Sequence, residues 1–221
     1  MKYINKLKLN KNLIFKITLV VVVLVVVISL FMPQYYRAQT KLLIIQKQSL
    51  SVDAYLAAKS AEKVGKVLSE VVYSSSFFDE VWQAGFNIGD DWGETARARK
   101  KIWQQRVELN PIPQTSLIEV NTYHVDRVSA EQLAQAMIYV LTEKGEQYHG
   151  GGDQVEIKLV DRPIVSKYPV KPNLILNAIM ALLVGLVISF VYVYLKTDKQ
   201  KVNIEEFKVK QPITTNINLE N

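Results

Sequence analysis

Two long apolar blocks bracket a middle stretch in which hydrophobic and polar residues alternate at shorter periods. The first block, residues 13–32, is uncharged apart from Lys16. The second, residues 174–195, carries no charge. A helix rises about 1.5 Å per residue, so each block is long enough to cross a hydrocarbon core of roughly 30 Å once Lys16 snorkels to the headgroups. A cleaved signal peptide is the rival reading for the first block. Its apolar run is longer than a signal core, and the following Pro33-Gln34-Tyr35-Tyr36-Arg37 offers no small-x-small cleavage site, which favours a retained anchor.

Between the blocks the periods change. Residues 38–45 form a β-type run. Residues 52–73 place Leu56, Ala61, Val64, Leu68 and Val71 near helical spacing. A short helix follows over 77–84, with Ser76 as its cap and Gly85 as its stop, and a third helix runs to about Leu109, where Asn110-Pro111 ends it. Ile118, Val120 and Thr122 alternate along a strand. Ser129-Ala130-Glu131-Gln132 reads as a capping box opening a helix with Leu133, Met137, Val140 and Leu141 on its buried stripe. Val155, Ile157 and Leu159 mark a last strand. The expected fold class is therefore a membrane protein with two transmembrane helices flanking an extracytoplasmic α+β domain, ordered β-α-α-α-β-α-β. If the first and last strands pair, they do so antiparallel, forming a sheet at its membrane-proximal base.

Charge decides the orientation. The chain has 27 basic and 21 acidic residues, a net charge of +6. Five lysines precede the first span without an acid, the middle carries equal numbers of each sign, and the tail is slightly basic. Positive ends belong in the cytoplasm, so the basic excess reports topology and argues against nucleic-acid binding. The expected division is a cytoplasmic N-terminus over 1–16, a first span over 17–34, the outer domain over 35–161, a proline-rich strut over 162–173, a second span over 174–195 and a cytoplasmic tail over 196–221. The expected location is a bacterial inner membrane.

Candidate chemistry is sparse. With no cysteine and only His124 and His149, a thiol nucleophile is excluded and a histidine metal site has few donors. Asp90-Asp91 reads as a pair of solvated turn acids. No glycine cluster is followed by the Lys-Ser or Lys-Thr of a phosphate-binding loop. Neither enzymatic activity nor a cofactor is expected. Arg97, Arg99, Lys100 and Lys101 make the third helix basic, a candidate contact for anionic headgroups or glycan with Trp103 stacking on the ligand; the alternative is a solvated face with Trp103 in the core. Ala181, Gly185 and Ser189 fall four apart along the second span, a candidate seam for helix packing in a homo-oligomer. Pro163, Pro169 and Pro172, with Lys171 and Asn173, stiffen the segment leading into that span.

The order of anchor, Tyr36-Arg37-Ala38 strand, α/β domain, strut ending Pro169-Val170-Lys171-Pro172-Asn173, and second anchor resembles the chain-length determinant (Wzz) family of polysaccharide co-polymerases. The short outer domain is most similar to the capsule-synthesis adaptors of Gram-positive bacteria. The family's strut places proline where this chain has Ser166. Val202 to Phe207 and the stretch around Pro212-Ile213 resemble the family's cytoplasmic segment, and Glu205, Glu206, Phe207, Pro212 and Ile213 are candidate partner contacts. The resemblance implies a non-enzymatic subunit that regulates the length or export of a surface polysaccharide. It would assemble with copies of itself, with a glycan polymerase and with a separate cytoplasmic tyrosine kinase. A two-span sensor or scaffold that signals from an envelope ligand is the alternative.

Overall fold

The computed structural model describes residues 11–47, 54–150 and 152–209. They form two compact units, a helix pair and a domain over Pro33–Pro172.

The helix pair consists of α1 (Lys11–Phe31) and α7 (Leu174–Val209). Both are long and apolar enough to cross a membrane. They lie antiparallel, with Thr18 beside Ser189 and Ser29 beside Asn177. The contact runs along the four-residue stripe Asn177, Ala181, Gly185 and Ser189. Asn177 Nδ2 donates to Ser29 Oγ at 3.0 Å, and the Thr18 and Ser189 hydroxyls lie 3.3 Å apart. A β-carbon on Gly185 would stand 3.2 Å from Thr18 Cα, so the absent side chain is what lets the backbones approach. The seam expected between subunits is thus filled within the chain. The small polar residues of α1 supply the matching surface.

The domain is built on a four-stranded antiparallel sheet in the order β2-β3-β1-β4: β1 (Tyr36–Gln46), β2 (Val107–Pro111), β3 (Leu117–His124) and β4 (Val155–Val165). β1 is central, running from Tyr36↔His124 to Leu43↔Leu117 on one side and from Ala38↔Val165 to Gln46↔Val155 on the other. Alternation buries Ala38, Thr40, Leu42 and Ile44 on one face of β1. Against that face lie α2 (Ala54–Val71) and α5 (Arg127–Glu143), whose Leu68, Leu133, Met137 and Leu141 join Ile118 and Val120 of β3 in the core. Next to them pack α3 (Ser75–Gln83), α4 (Ala96–Arg106) and the short α6 (Glu146–His149), with Phe77, Trp92 and Trp103 as the largest rings of the cluster.

Several local expectations change. The third helix stops at Arg106, and Val107 and Leu109 enter the core from a strand, β2, paired to β3; the order gains a strand and the small helix α6. Nothing in the basic run of α4 announces this switch, because pairing with β3 decides it. Ser74 instead of Ser76 caps α3, accepting from Phe77 N at 3.2 Å. Asp126 instead of Ser129 caps α5, its carboxylate accepting from Ser129 N at 2.8 Å. β4 continues to Val165, so Arg162 and Pro163 lie in an edge strand, where a missing N–H is tolerated.

The helix pair makes a direct prediction. In this cysteine-free chain, Thr18→Cys with Ser189→Cys should form an intrachain disulfide, and adding Gly185→Leu should abolish it by forcing α1 away. Non-reducing gel mobility reads the bond. A bond that forms equally well with leucine present would place the helices farther apart than described.

Candidate functional site

The chain enters and leaves the domain through one hydrogen-bonded stem. Tyr35 N donates to Lys171 O at 2.9 Å, and Val170 N returns to Tyr35 O at 2.8 Å. Ser166 N donates to Arg37 O at 2.8 Å, while Ser166 Oγ accepts from Arg37 N at 3.0 Å. The expected proline strut is therefore no free rod: residues 162–165 are strand, and Ser166 and Lys171 are tied to the incoming chain. This also accounts for serine at a position where the resembling family has proline. Proline would remove both the N–H and the hydroxyl that hold Arg37.

Lys171 closes the stem from the side. Its ammonium stands 3.3 Å from the Tyr123 ring centroid and 3.5 Å from Gln105 O. Tyr123 donates to Glu108 Oε2 at 2.9 Å, and Asn110 Nδ2 donates to Glu108 Oε1 at 3.0 Å. The Asn110 bond, helped by Tyr123, Lys171 and Arg37, holds the Glu108 carboxyl below its ordinary range. Burial, together with the bond to Glu108, pushes the Tyr123 phenol up to about 12. Desolvation lowers the Lys171 ammonium. Asn173, next in the chain, accepts from Leu176 N at 3.1 Å and caps the helix that follows.

A second polar cluster secures the loop between α3 and α4. Arg106 is buried at the end of α4 and grips both carboxylate oxygens of Asp91, with Nη1 to Oδ1 at 2.8 Å. Asp126 N donates to His124 Nδ1 at 3.0 Å, which leaves Nε2 to donate to Asp91 Oδ1 at 3.1 Å. Gly89 runs at φ +79°, and a β-carbon there would meet His124 Nε2 at 3.0 Å. Of the two acids read as solvated, Asp90 is exposed but Asp91 is a structural anchor. The partners are 15 and 33 residues away, a distance at which no local pattern could reveal them.

On α4, Arg97, Arg99, Lys100 and Lys101 are exposed. Trp103 is not available for stacking: it is buried in the core and donates its N–H to Val72 O at 2.7 Å. The aromatic half of that expected contact is overturned, because the indole packs among Phe77, Phe78 and Trp92. Glu205, Glu206 and Phe207 lie on the helical backbone of α7, while Pro212 and Ile213 fall outside the described residues.

Residues 127–198 match the family model GNVR, described as a G-rich domain on putative tyrosine kinase. Over this part of its length the chain is similar to a GNVR domain. The matched stretch opens at the first residue of α5, takes in α6, β4 and the stem's return segment, and ends within α7. Its presence is consistent with the polysaccharide co-polymerase and kinase-adaptor family that the sequence resembles. No curated protein matches the chain.

Two outcomes follow from these clusters. Ser166→Pro should cost about 1–3 kcal/mol locally through two lost hydrogen bonds, seen as faster hydrogen exchange at the Arg37 amide with little change in the core. Asp91→Asn should destabilise the domain by roughly 1–3 kcal/mol, because a buried guanidinium loses its counter-charge while solvent reaches the half-exposed partner. Arg106 holds the Asp91 carboxyl far below its ordinary value. Its stabilisation is thus complete above the unfolded value of about 4 and declines as pH falls below that. Unfolding curves of wild type and Asp91→Asn, recorded from pH 6 downward, should converge.

Proposed function

We propose that this protein is a non-enzymatic polysaccharide co-polymerase subunit that regulates the length or export of a surface polysaccharide. The carrying observation is the stretch similar to GNVR, which joins the outer domain's return strand to the second apolar helix. The order of anchor, α+β domain, proline-containing return and anchor supports the same reading. Positive ends around two apolar helices support an inner-membrane location with both termini cytoplasmic.

In this reading the stem has a mechanical task. Two chain ends joined by backbone bonds and a lysine–tyrosine clasp leave the domain as a single pair, which restrains swivelling more than proline stiffness in one strand would. The basic tail serves a separate cytoplasmic tyrosine kinase. The domain and spans assemble with further copies and with the glycan polymerase.

Deleting the gene should shift or broaden the size distribution of cell-surface and released polysaccharide on gels, and restoring the wild-type gene should reverse the change. An unchanged distribution in the deletion strain would remove the co-polymerase reading. Reporters fused after Lys11 and after Lys199 should be cytoplasmic, and one at Gly151 external; an external C-terminus would overturn the topology.

A further inference from the structure

One face of α5 points away from the core and carries Glu131, Gln135 and Tyr139 at four-residue spacing, with Ile138 and Thr142 beside them. Opposite stand Leu159, Arg162 and Pro163 of β4. Between the two elements lies an open groove of about 600 Å³, within the ~300–1,000 Å³ range of small-molecule clefts. Every residue lining it belongs to the stretch similar to GNVR.

The groove's chemistry is mixed in a particular way. Tyr139 is 41% exposed, and its ring packs against Phe86 with centroids 6.1 Å apart. Gln135 Nε2 donates to Glu131 Oε1, and Gln132 Nε2 donates to Gln135 Oε1, both at 3.4 Å, which orients the amide and the carboxylate along the wall. Arg162 adds a planar donor fork from the other side. An aromatic plane flanked by carboxylate, amide and guanidinium groups suits a ligand with weakly apolar ring faces and a girdle of hydroxyls.

An added polypeptide strand fits less well. β4 is bulged where it pairs with β1, its register shifting between Gln39 and Lys41 and between Lys41 and Leu42, and the Thr40 hydroxyl donates to the Asp161 carbonyl. Lys158, Asp161 and Arg162 charge this edge strand, and Pro163 has no N–H to offer. These are the features by which an edge strand refuses a partner strand.

We infer that the groove between α5 and β4 binds a stretch of pyranose-based polysaccharide, with Tyr139 stacking on a sugar ring and Glu131, Gln135 and Arg162 hydrogen-bonding its hydroxyls. The inference rests on the co-polymerase reading for the source of its ligand and supplies what that reading lacks, a surface on which the growing chain is felt.

The test uses the full-length protein in nanodiscs, titrated calorimetrically with oligosaccharides made by partial hydrolysis of the producing cell's surface polysaccharide. Tyr139→Ala and Arg162→Ala should each weaken binding at least about ten-fold, while Tyr139→Phe, which keeps the ring, stays near wild type. Both positions are at the surface, and unchanged thermal melts check folding. Equal affinity for wild type and both alanine variants would overturn the groove, as would a loss of affinity only on Arg97→Ala with Lys101→Ala in α4. Absence of binding by the wild type, in a protein whose deletion does alter polymer size, would remove the groove and leave the co-polymerase reading standing. Binding lost on Tyr139→Ala in a protein whose deletion leaves polymer size unchanged would do the reverse.

Discussion

The central position of β1 is the constraint on which the rest of the domain depends. Like β3 it has a hydrogen-bonded neighbour on each side, and its first residues continue into the stem that receives the returning chain. Because side chains alternate, a slip of one residue in its register would turn Ala38, Thr40, Leu42 and Ile44 out of the core and bring Lys41 in. The register thereby fixes which face receives α2 and α5. It also brings Arg37 opposite Tyr123, where the clasp with Lys171 forms.

Polar groups are used in this fold chiefly to hold segments that apolar packing does not reach. The loop between α3 and α4 contributes Trp92 to the core, but its path is set by Asp91 on Arg106 and His124. The return segment after β4 buries little, and its position is set by backbone bonds to Tyr35 and Arg37 and by Lys171 over an aromatic ring. In both places a charged group is held next to buried or aromatic surface, where electrostatic interactions are less screened than in water. The same economy appears in the helix pair, where Thr18, Ser29, Asn177 and Ser189 bond across a seam of small residues.

The stretch similar to GNVR, which starts at α5 and ends in α7, takes in the groove, the edge strand, the stem's return segment and the apolar part of the second long helix. A ligand against Tyr139 and Arg162 would touch the strand that runs directly into Ser166 and Lys171. A displacement of β4 would thus be passed on through covalent connection instead of through a network of side chains.

What the sequence determined by itself was whatever depends on local period and composition. The apolar blocks, the helical spacing of α2 and α5 and the strand patterns of β1, β3 and β4 all follow from neighbours a few residues apart. What only the tertiary structure decided was which distant groups meet. Val107 to Pro111 became a strand because β3 offered an unpaired edge. Trp103 turned inward because the core needed its ring and Val72 offered a carbonyl. Asp91 became an anchor because a buried Arg106 required a counter-charge, and Gly185 met Thr18 because their helices run antiparallel. Pairings of this kind carry no local period, since the free energy that selects them appears only once the partners have been brought together.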